Sequence, residues 1–78
     1  MKFIKLKKRK FYETWVGKKC KCKVYIFRCK DDLFHFTSIS CKGEIYSSLY
    51  DNLIYNDFEL CCKDAAYKTK SYCKRCHD

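Results

Sequence analysis

Apolar residues follow two periods along this chain, and the change from one to the other divides it. In the run DFELCCKDAAYKTKSYCKRC, from Asp57 to Cys76, the residues Phe58, Cys61, Cys62, Ala65, Thr69, Tyr72, Cys73 and Cys76 recur at three- and four-residue steps. That spacing predicts an amphipathic helix. At about 100° per residue its four cysteines fall within roughly 120° of one another, together with Phe58, Ala65 and Tyr72. Lys63, Asp64, Lys68, Lys70, Lys74 and Arg75 take the other side. Asp57 is placed to cap the first turn, Glu59 to complement the positive end of the helix, and Lys74 and Arg75 the negative end.

Upstream the period is two. Cys20, Cys22, Val24 and Ile26 alternate with Lys19, Lys21, Lys23, Tyr25 and Phe27, a strand pattern rich in β-branched and aromatic residues. Asp31-Asp32 breaks it with a turn. A second strand then puts Leu33, His35, Thr37, Ile39 and Cys41 on one face and Phe34, Phe36, Ser38 and Ser40 on the other, so that 23–30 and 33–40 form an antiparallel hairpin. Lys42-Gly43 turns the chain again, Glu44 to Tyr50 supplies a third strand, and 51–56 leads into the helix. The predicted fold is α+β: a small disulfide-rich domain in which a three-stranded antiparallel sheet carries one C-terminal helix. Residues 1–12 fit neither period cleanly, and 1–18 are expected as a basic arm, docked at most through Phe3 or Phe11, ahead of a single cysteine-stabilised domain over 19–78. Trp15, before a turn at Gly17, is expected as a core anchor.

A chain of 78 residues makes one domain, and a core this small leaves it marginal without a supplement. The eight cysteines supply one. As disulfides, each bridge contributes about 2–4 kcal/mol. On that reading Cys20 and Cys22 on a strand face Cys73 and Cys76 on the helix, while Cys29 and Cys41 reach Cys61 and Cys62, although eight cysteines admit 105 pairings that sequence does not choose among. As thiolates, Cys20, Cys22, Cys73 and Cys76 would hold a structural zinc ion, with a second site drawn from Cys29, Cys41, Cys61, Cys62 and His77. An even count above a tenth of all residues favours disulfides and secretion, with no cofactor. The opening MKFIKLKKRKF has no apolar run of signal-peptide length, which keeps an intracellular zinc-binding module as the alternative.

Charge is lopsided. Residues 1–30 hold twelve Lys or Arg against Glu13 alone, and residues 31–78 hold six against eight acids, giving +11 and −2 of the net +9. The basic half faces an anionic partner: a protein or membrane surface, or nucleic acid under the zinc alternative. The expected contact residues are Lys5, Lys7, Lys8, Arg9 and Lys10 of the arm, with Lys19, Lys21, Lys23, Tyr25 and Phe27 of the first strand. On nucleic acid, Tyr25, Phe27 or Phe34 would stack on bases. No phosphate-cradling loop is available with Gly17 and Gly43 alone, and the acids fall where capping and turns account for them, so no enzymatic activity is expected.

The run DFELCCKDAAYKTKSYC resembles a segment of some centipede venom peptides, in which an aromatic and an acid precede a vicinal cysteine pair and a Lys-rich helix ends in another cysteine. It covers less than a quarter of the chain. The resemblance implies a secreted, disulfide-bridged polypeptide, toxin-like or host-directed, that acts as a monomer on an ion channel or receptor.

Overall fold

In the computed structural model, residues 1–6, 13–19 and 21–72 are described. Five strands form one antiparallel meander: β1 (Phe3–Leu6), β2 (Glu13–Lys19), β3 (Cys22–Arg28), β4 (Phe34–Ile39) and β5 (Ile45–Ser47). One helix follows, α1 (Phe58–Tyr72). The α+β arrangement with its C-terminal helix is as the periodicity predicts, but three strands is an undercount. β1 is a four-residue edge strand, FIKL, and β2, ETWVGKK, is an interior strand interrupted by Gly17, so neither shows a run of strict alternation. Their pairing is nevertheless regular, Phe3 opposite Gly17 through Leu6 opposite Thr14. The β3–β4 hairpin is the predicted one, with Lys23 opposite Ile39 and Arg28 opposite Phe34.

The β2–β3 register moves one expectation. Lys19 does not lie on the strand that carries Tyr25. It ends β2, opposite Cys22, and Lys21 lies in the turn before β3. The disulfide-rich part of the predicted fold has no counterpart here: no disulfide joins two described residues. Cys20, Cys73 and Cys76 lie outside the described residues.

The core lies between sheet and helix. Val24, Ile26 and Phe36 from the sheet, with Cys61 and Ala65 from α1, are all fully buried. Burying each of the three large sheet residues stabilises the fold by about 1.5–3 kcal/mol. Trp15 joins them as expected, its ring 4.6 Å from Phe58 and 6.2 Å from Phe34. Asp57 caps the helix, accepting from the Glu59 N–H at 3.0 Å. Phe58 therefore sits at the Trp15–Phe34 end of the sheet. Thr69 lies at the opposite end, beside Ser38, Ser40 and Tyr46, which fixes the direction in which α1 crosses the strands.

β5 is short, so the outer edge of β4 is closed by side chains and one isolated bridge. The buried Ser48 Oγ accepts from Phe36 N–H at 3.0 Å. Phe34 and Tyr55 exchange backbone bonds of 2.7 and 2.8 Å. Both devices satisfy donors that would otherwise meet no strand.

Candidate ligand face of the sheet

Residues paired across an antiparallel sheet project from the same side. The helix takes the side bearing Trp15, Val24, Ile26 and Phe36. The other side carries Ile4 of β1, Val16 and Lys18 of β2, Lys23, Tyr25 and Phe27 of β3, and His35, Thr37 and Ile39 of β4. Thr14 and Ser47 on this side are buried, while Tyr25, Phe27, His35 and Thr37 between them are half-buried. Tyr25 and Phe27 stack at 6.4 Å with ring planes 21° apart, and Phe27 stacks on His35 across the strands at 5.0 Å and 26°. A ladder of three half-buried rings thus runs over two strands. Lys23 begins the same strand, and its partner Lys18 stands beside it, both exposed.

Charge is partitioned between the two sides. Glu13 bonds Lys5 at 2.9 Å and Arg28 at 2.9 Å, and Arg28 also bonds Asp32, all towards the helix side or the β3–β4 turn. The Lys5 ammonium beside it, more than any other neighbour, holds the Glu13 carboxyl below its usual range. Asp31, Asp32, Glu44 and Asp51 lie in turns, while Asp57, Glu59 and Asp64 belong to the helix and its cap. No strand residue on the ring-bearing side is a carboxylate. Among the described residues, neither Lys18 nor Lys23 makes an ion pair.

Of the expected contact residues, Lys23, Tyr25 and Phe27 come together on this side. Lys21 lies in the β2–β3 turn, exposed. Lys19 points with Cys22 to the helix side, and Lys5 is occupied by Glu13 while its ammonium lies 5.8 Å from the centre of the Trp15 ring. Lys7, Lys8, Arg9 and Lys10 lie outside the described residues. Phe34, weighed as a stacking residue, is instead packed against Trp15 and Phe58 under the helix. Lys18 and His35 were missed as contacts. Lys18 becomes visible once Thr14, Val16 and Lys18 are read as alternate residues of a strand.

His35 is the least satisfied polar group of the face. Its Nδ1 is buried with no hydrogen-bond partner among the described residues, and burial pushes the imidazole pKa down. The ring is therefore neutral at pH 7 and stacks on Phe27 as an aromatic surface rather than as a cation.

Three of the described cysteines, Cys29, Cys61 and Cys62, have thiols that burial keeps protonated and weakly nucleophilic. Burial first, then Cys62 and Asp64, pushes the Cys61 thiol up to about 12. Burial and Glu59 push Cys62 up to about 11, and burial raises Cys29. The zinc set Cys20, Cys22, Cys73 and Cys76 has one member, the buried Cys22, among the described residues, and those residues contain no cluster of three or more His, Cys, Asp or Glu placed to hold a metal. The helix direction bears against the expected reach of Cys41 to Cys61 or Cys62. Cys41 follows Ser40, at the Thr69 end. Eight residues of helix, about 12 Å, separate Cys61 from Thr69, whereas a disulfide needs Cα atoms within about 7 Å.

Between β5 and the helix lies a small cleft of about 110 Å³, lined by Ser38, Ser40, Tyr46 and Thr69 among others. Its lining also includes Glu44 and Ile45, and the Tyr46 hydroxyl donates to Asp51. No helix among the described residues is long and apolar enough to cross a membrane. No protein-family model matches the chain, and neither the curated proteins nor the solved structures include a match to it.

Proposed function

We propose that the protein is a non-catalytic binding module that holds an anionic partner against the helix-free side of its sheet. The observation that carries this reading is the segregation of charge: Lys18 and Lys23 stand at the Tyr25 end of the Tyr25–Phe27–His35 ladder, on a side where no strand residue is a carboxylate. With a net charge of +9 the molecule attracts polyanions at long range, and on this side no strand carboxylate opposes Lys18 and Lys23. Strand backbones hold its side chains in place, so little ordering is needed on binding.

Retention on immobilised heparin, a polyanion, tests the reading. Two double variants carry the same change in net charge: Lys18→Glu with Lys23→Glu on the sheet, and Lys42→Glu with Lys63→Glu, exposed elsewhere. The sheet variant is expected to elute at clearly lower salt than the control pair, with both folded. Equal elution would mean that overall charge alone holds the polyanion, and the assignment to this surface fails.

A second reading is favoured by the eight cysteines: a secreted, toxin-like or host-directed polypeptide held by disulfides and directed at an ion channel or receptor. Intact mass after equilibration in an oxidising glutathione buffer distinguishes the two. Loss of about two mass units per bridge supports it. Retention of all thiols removes it, and a gain of zinc mass moves the chain to the metal-module alternative.

A further inference from the structure

We infer that the anionic partner is single-stranded nucleic acid, with bases stacked on the Tyr25–Phe27–His35 ladder and phosphates met by Lys18 and Lys23. The inference rests on the polyanion reading above and narrows it by the chemistry of the rings. Lysines alone suffice to hold a sulfated or phosphorylated polymer. They leave unexplained why three rings stand aligned on the same surface, at 6.4 and 5.0 Å and within 26° of parallel. Unpaired bases use such rings, because every base has a π-face and stacking needs no particular sequence.

Geometry disfavours the other polyanions. Five strands at about 4.8 Å spacing put the outer ones about 19 Å apart, wider than the roughly 12 Å major groove of a duplex, which admits a helix or a two-stranded ribbon. In a duplex the bases are also stacked on each other and offer the rings nothing. A bilayer would be met by protruding apolar side chains, whereas the centre of this surface holds half-buried rings interleaved with His35 and Thr37. Ile4 and Ile45, 65% and 60% exposed, stand at the two sheet edges rather than in one apolar patch. A strand laid across the ladder keeps its bases on the rings and its backbone within reach of Lys18 and Lys23, which pair at the Tyr25 end.

The test uses the full chain in reducing buffer and fluorescence anisotropy with a labelled oligothymidylate of about twelve nucleotides, within the usual site size. A duplex of the same length and phosphatidylserine vesicles serve as comparisons. Tyr25→Leu and Phe27→Leu keep apolar bulk and remove the ring; each is expected to weaken single-strand binding by about five- to a hundred-fold, leaving heparin retention unchanged. Tyr25→Phe keeps the ring and the affinity. Tyr50→Leu removes a ring that is 69% exposed and off this surface, and changes neither. Wild-type affinity in both leucine variants, or duplex or vesicles bound as tightly as the oligonucleotide, overturns the inference. Heparin retention that still depends on Lys18 and Lys23 would then leave the polyanion reading standing; retention indifferent to them would remove that reading as well.

Discussion

Ser48 shows how much one small side chain carries in this sheet. β5 ends at Ser47, and the Phe36 N–H beyond it would face no strand. The Ser48 hydroxyl oxygen takes that bond in a fully buried position. Ser48→Ala is therefore expected to destabilise the fold by about 1–3 kcal/mol, the range for an orphaned buried donor, as read from urea unfolding. Nothing in the run YSSLY distinguishes this serine from the one before it, because its role depends on where β5 stops. Asp57 is the contrary case. An acid directly ahead of the helical period is readable as a cap, and Asp57→Ala is expected to cost about 1 kcal/mol in the same measurement.

At the scale of elements, β1 is the addition that periodicity did not reveal. It docks where Gly17 leaves room: a Cβ there would come within 2.8 Å of the Phe3 ring and 2.9 Å of Met1. Gly17→Ala is expected to loosen β1 with little effect on the β3–β4 hairpin. Hydrogen exchange should show faster exchange confined to β1 and its β2 partners, and uniform loss of protection would contradict it. The helix is the opposite case. Its buried stripe of Cys61, Ala65 and Thr69 is the one read from three- and four-residue spacing, because a single face of a single helix needs no knowledge of its partner. Its direction across the sheet needed the packing of Phe58 and Thr69. That direction sets a further expectation: peptide mapping after mild oxidation should recover no bridge from Cys41 to Cys61 or Cys62.

For the whole molecule, the buried titratable groups define a window of stability. His35 has a folded pKa pushed below 6.5, so the unfolded chain takes up its proton first as pH falls. Its contribution is complete above that value and is lost as pH drops from about 6.5 towards the folded pKa. Cys61 and Cys62 are displaced the other way, to about 12 and about 11 from 9.0. Their contribution is complete below pH 9 and declines as pH rises through 9 towards those values. Under reducing conditions, urea midpoints should form a plateau between about pH 7 and 9, with a decline on both sides. His35→Phe should flatten the slope just below pH 6.5, and Cys61→Ala should reduce the alkaline one.

The sequence by itself determined the helix, its cap, its sulfur-bearing side and the β3–β4 hairpin with its alternation, since each follows from a local period or from the chemistry of one terminus. It also determined the charge asymmetry that points to an anionic partner. The tertiary structure alone decided which cations share a surface. Lys18, Lys19 and Lys23 lie within six positions of one another; alternation along β2 sends Lys19 to the helix side, and the β2–β3 pairing brings Lys18 beside Lys23. Because register is set by pairing between strands, no reading of one strand alone could place Lys18 beside Lys23.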